Sequence, residues 1–466
     1  MRTGGLFMPK PAKTKGQRKV TPPVRLIVGS FVLVILLGTA LLTMPFSAAS
    51  GTFTNPLDAL FTATSATCVT GLSVVDTTAH WSVFGQGVLL VLIQIGGLGL
   101  STFAIGFSLL VHKRLGIREL VLAREASGGD MQEIVPLLKL MLGFTFLCEA
   151  LGAGLLMLRL VPAYGTRGIW PSVFVAVSAY CNAGFDILGF VPGNASLSAF
   201  AGDPLVSLTV SALIATGGLG FVVVQDIYRC KLAPAFRRKD RERLNFHTQV
   251  CLRGTLILLG AGTLMFFICE YNNTMGHLNF FEKLVASVFQ STNTRTAGFA
   301  SVDIQGMKDF TKAASVGLMF IGGCPGSTAG GVKVTTMVVL FATLLCTIRG
   351  RDEAVVLGRR FATGVVFKAM TVVACGMAVT LIDAGIIGAL NPQIPFLDVL
   401  YECASAFGTA GLSASVTPRL DVISRLLLCV TMFIGRVGPL SFGLSILMRA
   451  KKPNGSILPE GRMLIG

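Results

Sequence analysis

The chain has 466 residues, of which 52% are hydrophobic and only 13% charged, with a formal net charge of +16. Soluble domains carry about 25% charged residues, so a chain with mean hydropathy +0.72 could not cover a water-facing surface, which excludes a soluble enzyme, a nucleic-acid-binding protein and a disordered scaffold. The 39 Lys and Arg against 23 Asp and Glu form no basic stripe on a polar domain and read instead as positive loops on the cytoplasmic side of a membrane.

Taken in chain order, eight apolar runs are long enough to cross a bilayer as helices. They lie near 26–46, 83–111, 135–160, 204–228, 251–270, 313–347, 365–390 and 421–448. The first is too long for a cleavable signal and has no small-residue cleavage site. Four shorter runs, near 57–68, 171–181, 281–292 and 396–407, fall between paired spans and have the length of re-entrant segments. Of the 39 basic residues, 28 lie before the first span or within 113–124, 229–253, 349–368 and 449–462. With eight crossings, all five segments share one side. The expectation is a multi-pass protein of the cell (plasma or inner) membrane with both termini in the cytoplasm. The predicted divisions are a tail 1–24, repeat 1 at 25–112, a loop 113–133, repeat 2 at 134–228, a loop 229–249, repeat 3 at 250–348, a loop 349–364, repeat 4 at 365–448 and a tail 449–466.

The 11 cysteines form no CxxC and lie mostly in apolar runs, so they read as small hydrophobes. His80, His112, His247 and His277 show no metal-ligand spacing.

Span, short segment, glycine turn, span: this order occurs four times. The turns run Ser65 to Leu72, Ser178 to Phe185, Thr292 to Phe299 and Ser405 to Leu412. Each has a hydroxyl residue six places before a glycine and Leu or Phe directly after it. Gly71, Gly184, Gly298 and Gly411 are 113, 114 and 113 residues apart. Such a period overrides element-by-element reading. The predicted fold is an all-α integral membrane protein of four tandem span–pore-helix–span repeats, with pseudo-fourfold symmetry around one pore. Asp58 and Asp398 open two of the short segments and read as helix caps. The second span of each unit carries a glycine cluster: 96–99, 217–220, 322–326 and 435–438. Close helix packing and a functional role both account for the first two. The third continues to Lys333 with five glycines and a proline, and helix cannot persist through it. Irregular backbone at membrane depth must be buried in protein or line water, so this loop belongs on a permeation path.

Four such turns meeting on an axis can line it with main-chain carbonyls, which replace the hydration shell of a cation. Glycine permits the close approach. The candidate ion-binding residues are Cys68, Val69, Thr70, Gly71, Cys181, Asn182, Ala183, Gly184, Arg295, Thr296, Ala297, Gly298, Gly408, Thr409, Ala410 and Gly411. With no carboxylate in the turns except Asp186 just beyond the second, a large monovalent ion, potassium, suits them better than a divalent one. A guanidinium facing the path would repel a cation, so Arg295 is expected behind its turn, holding carbonyls. Lys333 and Arg436 are cations in or beside apolar spans. Snorkelling, or a salt bridge with Glu149, Glu270, Asp383 or Glu402, accounts for either; Arg436, deeper and after a glycine, also suits a pore barrier or a gate latch.

In Thr67 to Leu72, Asn182 to Phe185, Thr294 to Phe299, Gly408 to Leu412 and Gly322 to Lys333 the sequence resembles the Trk/Ktr/HKT superfamily of potassium transporters, over nearly the whole chain after residue 24, and most of all its Ktr-type membrane subunit. The resemblance implies a potassium-uptake pore subunit with one filter segment per unit and the required glycines at Gly71, Gly184, Gly298 and Gly411. Members with serine at the first glycine favour sodium; this chain has Gly71. The resemblance makes 322–333, with Gly322, Gly323, Gly326, Gly330, Gly331 and Lys333, an intramembrane gate assisted by Arg436. It also implies a homodimer in membrane lipid, bound to a separate cytosolic nucleotide-binding ring. No covalent cofactor is expected; K+ is the permeant ion, and a sodium dependence stays open. Cys68 and Cys181 depart from the usual small or polar residues, and a reachable thiol at either would make the pore sensitive to thiol reagents.

The main alternative is a monovalent-cation symporter or another secondary carrier with broken helices. Such carriers use inverted repeats, whereas these four run in one direction. A membrane enzyme would need a nucleophile and base at suitable spacing, and none stands out.

Overall fold

The computed structural model describes residues 23–99, 134–191, 196–232, 243–351 and 353–439. Almost all of the tail 1–24, the loop 113–133, the tail 449–466 and the far ends of the runs near 83–111 and 421–448 lie outside the described residues.

The first unit consists of α1 (Pro23–Thr43), α2 (Pro56–Cys68), the one-turn α3 (Thr77–His80) and α4 (Val83–Leu98). The second has α5 (Ile134–Tyr164), α6 (Ile169–Cys181), α7 (Pro204–Gly218) and α8 (Phe221–Ile227). The third has α9 (Phe246–Glu270), α10 (Phe280–Thr296), α11 (Asp309–Phe320) and α12 (Val334–Ile348). The fourth has α13 (Thr363–Leu390), α14 (Phe396–Gly408) and α15 (Val422–Val437). A small hairpin, β1 (Val355–Val356) with β2 (Arg359–Arg360), joins the third unit to the fourth.

The helix starts are written locally. Asn55 caps α2 by accepting from Leu57 N at 3.0 Å, with Pro56 at the first helical position. Asp203 caps α7 through Leu205 N and Val206 N at 3.0 and 3.3 Å. Asn279 and Glu282 form a capping box on α10.

Within the described residues the helix of each second span stops at a glycine-bearing point. Gly99 ends α4 at φ 78, ψ 135; Gly220 separates α7 from α8 at φ 87, ψ 143; Gly438 ends α15 at φ 91, ψ 136. Side chains rarely tolerate this backbone region, so the same glycine-only conformation recurs in three units. The bend between α7 and α8 is 98°, which corrects the reading of 204–228 as one continuous span. In the third unit the longer segment 321–333 takes the place of a single glycine. By length and composition the helical run Lys139–Cys181, Phe246–Glu270 and Thr363–Leu390 are long and apolar enough to cross a membrane, and the bent pair Pro204–Gly218 with Phe221–Cys230 makes a fourth.

The polarity is arranged for lipid. Leu33, Leu36 and Leu37 of α1, Leu256, Ile257 and Leu264 of α9, and Phe367, Leu381 and Ile382 of α13 are exposed. The polar residues are inside, on the short helices: Thr62, Thr64, Ser65 and Thr67 of α2, and Ser287, Gln290, Ser291 and Asn293 of α10 are buried. Some of their hydroxyls return to their own helix, as Thr62 does to Asp58 O at 2.8 Å and Ser287 to Lys283 O at 2.7 Å, while Ser291 reaches Leu259 O of α9 at 2.8 Å. The four short helices α2, α6, α10 and α14 thus form a polar centre inside an apolar shell.

Candidate functional site

Three of the four short helices end identically. Val69, Asn182 and Thr409 adopt the left-handed conformation (φ 59, 61 and 50). The next N–H reaches back to the hydroxyl residue's carbonyl: Thr70 N to Ser65 O at 2.8 Å, Ala183 N to Ser178 O at 2.7 Å, Ala410 N to Ser405 O at 2.8 Å. The third helix departs. α10 runs one position further, to Thr296, and Ala297 (φ −117) bonds Asn293 O at 2.9 Å in ordinary helical register. Its turn is held by a side chain instead: Asn293 Oδ1 accepts from Phe299 N at 2.8 Å, and Asn293 Nδ2 donates to Phe299 O.

The four glycines that follow close a circle. Gly71, Gly184, Gly298 and Gly411 have φ of +99, +71, +83 and +79. A Cβ placed on Gly71 would meet Ala183 O at 2.5 Å; on Gly184, Ala297 O; on Gly298, Ala410 O at 2.7 Å; on Gly411, Thr70 O. Each turn therefore abuts the next, first to second, second to third, third to fourth and fourth back to first. A side chain is excluded at these positions by both conformation and space. Among the described residues, no hydrogen bond ends on the main-chain carbonyls of 69–71, 182–184, 296–298 or 409–411. Four helix C-termini, with their partial negative charge, end at the same ring. Such an array of free oxygens can replace cation hydration.

The side chains of the turns lie behind this ring. Cys68 and Cys181 are fully buried. Cys181 Sγ donates to Gln94 Oε1 at 3.5 Å. The Asn182 amide joins the Thr296 hydroxyl at 3.1 Å, linking the second turn to the third. Its nitrogen can face Ala179 O and Ile214 O at 3.0 and 3.1 Å once the amide is turned to suit them.

The glycine-rich segment lies against three units. Gly322 N to Val332 O at 2.9 Å and Val332 N to Phe320 O at 3.2 Å close its neck. Cys324 N and Thr328 N bond Gly218 O and Gly217 O at 2.9 and 3.2 Å, while Phe221 N bonds Gly326 O at 3.0 Å, so the segment fills the break between α7 and α8. On the other side Gly331 N reaches Gly435 O at 3.2 Å, and Gly330 N reaches Thr409 Oγ1 at 3.1 Å, directly at the fourth turn.

Three cations hold this segment. Arg295 Nη2 donates to Gly322 O at 3.0 Å; the guanidinium is behind its turn, but the carbonyl it holds belongs to the segment and not to the turn. Lys333 Nζ folds back onto Ala329 O at 2.6 Å and Gly330 O at 3.4 Å. Arg436 donates to Thr328 O, to Gly96 O and, at 3.3 Å, to Gly97 O, joining the segment to the C-terminal end of α4. Among the described residues, neither Lys333 nor Arg436 forms a salt bridge to a buried acid. Glu149 is taken by Gln94 at 3.0 Å, Glu270 by Thr311 at 2.6 Å, Asp383 by Thr431 and Glu402 by Ser413 at 2.9 Å. The two cations are held instead by main-chain carbonyls of the segment and of the α4 end. Lys333 and Arg436 also line a 200 Å³ cavity with Gly97, Gly326, Ser327 and Ala329, so a cation there meets two positive charges.

Sequence reasoning missed several supports. A Cβ on Gly96, Gly217 or Gly435 would strike Thr67 O, Tyr180 O or Phe407 O. In each case that is the carbonyl four residues before the ring glycine, so the clusters seat the second spans against the short helices. Asp58 pairs with Arg425 at 2.9 Å and Asp398 with Lys312 at 2.8 Å. Each pair joins a second span to the short helix of the next unit; the cap positions belong to Asn55 and Pro395, which corrects the capping role expected of the acids. The available signal was that Asp58 and Asp398 each stand 13 residues before their ring glycine, Gly71 and Gly411.

Residues 8–458 match the TrkH family, cation transport protein. The chain is 40% identical over 456 residues to the Ktr system potassium uptake protein B of Bacillus subtilis, covering 96% of this chain and 97% of that protein. It is 36% identical over 459 residues to the potassium/sodium uptake protein NtpJ of Enterococcus hirae, covering 97% and 99%. The crystal structure of the potassium transporter TrkH from Vibrio parahaemolyticus has the same fold, with a TM-score of 0.71 at 18% identity over 94% of this chain and 87% of that one.

Proposed function

The chain belongs to the TrkH family of cation transport proteins, and on that premise we propose that it is the membrane pore subunit of a potassium uptake system. The observation that carries the reading is the closed circle in which each ring glycine abuts the carbonyl of the next unit. K+ is the transported substrate. It sheds water on entering the ring, and the main-chain oxygens of 69–71, 182–184, 296–298 and 409–411 take the place of that water. Helix C-termini favour positive charge there. Potassium is preferred over sodium because its dehydration is cheaper and the ring is held open by packed backbone, not by adaptable side chains.

Segment 322–333 is the gate. It touches the fourth turn at Thr409 and is clamped by Arg295, Lys333 and Arg436. Opening requires the Arg436 contacts to break, which moves both the obstruction and two positive charges. The setting is a multi-pass position in the cell membrane with both termini in the cytoplasm. A second copy of the chain and a separate cytosolic nucleotide-binding ring complete the system, the latter supplying the work of opening. Cation transport, not catalysis, is the activity of the family.

The test is ion uptake into proteoliposomes containing the parent protein and Gly71→Ser. Potassium and rubidium are expected to enter faster than sodium in the parent. Serine at φ +99, with its Cβ 2.5 Å from Ala183 O, pushes that carbonyl away and lowers the discrimination. Equal rates for the three ions in the parent refute the reading. Potassium uptake that stops without sodium favours the symport alternative, which the name of the Enterococcus hirae relative keeps open.

A further inference from the structure

The strand leaving each ring glycine is tied to the structure by a different device. In the first unit Ser65 Oγ accepts from Gly71 N at 3.1 Å. In the second, where the Ser178 hydroxyl is buried without a hydrogen-bond partner, Asp186 Oδ1 accepts from Leu188 N at 3.1 Å. In the third, Asn293 clamps both main-chain groups of Phe299. The fourth unit has Ser405 in the place of Ser65, but the Ser405 hydroxyl is buried with no hydrogen-bond partner. Its strand is held instead by Glu402.

Glu402 lies on α14 and is 1% exposed. Its Oε1 accepts from Ser413 Oγ at 2.9 Å and from Thr417 Oγ1. These donors stand two and six residues after Gly411 and flank Ser415, which is held at φ +58. A non-glycine residue in that region costs about 1 kcal/mol or more and persists only where its surroundings fix it. From the far side Gln305 Nε2 donates to Ala414 O at 3.1 Å. One carboxylate oxygen thus gathers both ends of a strained loop directly beyond the ring. The second oxygen, Oε2, is buried without a hydrogen-bond partner. A buried acid kept with half its acceptors unused is costly, and capping does not explain it, since it lies in the middle of its helix.

We propose that Glu402 is a positioning residue for ion selection: by pinning Ser413 and Thr417 it fixes the strand that leaves the fourth filter turn, and with it the carbonyls around Gly411. The proposal rests on the reading of the ring as a selectivity filter. It assigns the role to the acceptor oxygen, not to the charge.

The experiment measures rubidium and sodium uptake by the full chain in proteoliposomes, with monodisperse elution and thermal unfolding checked for every variant. Glu402→Ala is expected to lower the rubidium-to-sodium ratio about tenfold, the scale set by losing a buried hydrogen bond, chiefly through faster sodium entry. Glu402→Gln keeps an oxygen for the same two hydroxyls and holds the ratio within about twofold of the parent. The double variant Ser413→Ala/Thr417→Val leaves Glu402 in place, removes the two hydroxyl donors while the main-chain N–H groups of Ala414 and Thr417 stay, and is expected to lower the ratio in the same direction as Glu402→Ala; it decides the matter if Glu402→Ala does not fold. A parent-like ratio in Glu402→Ala or in the double variant overturns the proposal. So does Glu402→Gln falling as far as Glu402→Ala, because the charge and not the pin would then be what matters. A parent protein that fails to discriminate refutes the filter reading itself, while a discriminating parent with unaffected variants refutes only this inference.

Discussion

Replacing Arg436 by alanine removes the one side chain that, among the described residues, ties the proposed gate segment to α4. The guanidinium holds Thr328 O on the segment and Gly96 O and Gly97 O at the helix end. A hydrogen bond to a charged group contributes about 1.5–3 kcal/mol net. Water entering the 200 Å³ cavity re-solvates the freed carbonyls, so a single such bond is the fair measure of what the closed state loses. That shifts the gate equilibrium by about tenfold to 150-fold. Basal rubidium uptake into proteoliposomes, with no regulatory partner present, is expected to rise by that factor until the open state dominates. Arg436→Lys separates latch from charge. Its ammonium keeps the positive charge but is a point donor that cannot span both elements as the planar guanidinium does, so it gives an intermediate rise. Uptake by Arg436→Ala at or below the parent rate refutes the latch. A parent-like rate in Arg436→Lys assigns the effect to charge alone.

Gly184→Ala places a methyl group at φ +71 against Ala297 O; about 1–2 kcal/mol of backbone strain adds to the clash, and uptake is expected to fall to background while the protein still elutes as a single species. Asp58→Ala and Arg425→Ala break one partly exposed ion pair, so each should lower thermal stability by about 1 kcal/mol or less, and the double variant should be no worse than the poorer single one; additive losses would deny the coupling. Cys68 and Cys181 are fully buried, so a membrane-impermeant thiol reagent added to the assembled protein should leave uptake unchanged, whereas block abolished by Cys68→Ser or Cys181→Ser would place a thiol in the path.

The short helices were legible because a 12-residue apolar run ending in a glycine turn has few alternatives, and their ends fall within a few residues of those read from the sequence. The third run extends furthest beyond its expected end, to Thr296, because Asn293 clamps Phe299 and relieves the helix of the left-handed cap used elsewhere. The breaks at Gly99, Gly220 and Gly438 were not legible: a glycine in an apolar run looks the same whether it permits close packing or a positive φ, and both uses occur within a few residues here. The partners of Arg436 and Lys333 left no trace in the sequence because they are main-chain carbonyls, which every residue has. The Asp58–Arg425 pair spans most of the chain, and only the circular arrangement of the units makes them neighbours. Glu402 read as an acid in search of a cation, since nothing local marks Ser413 and Thr417 as its donors.

The most direct test of the central claim is to locate the ion itself. Crystals of the full chain grown with rubidium or thallium, measured for anomalous scattering, are expected to show the heavy cation inside the circle made by Thr70, Ala183, Ala297 and Ala410 with their following glycines. Well-ordered rings without anomalous density, with the ion instead beside an acidic side chain elsewhere, would contradict the account.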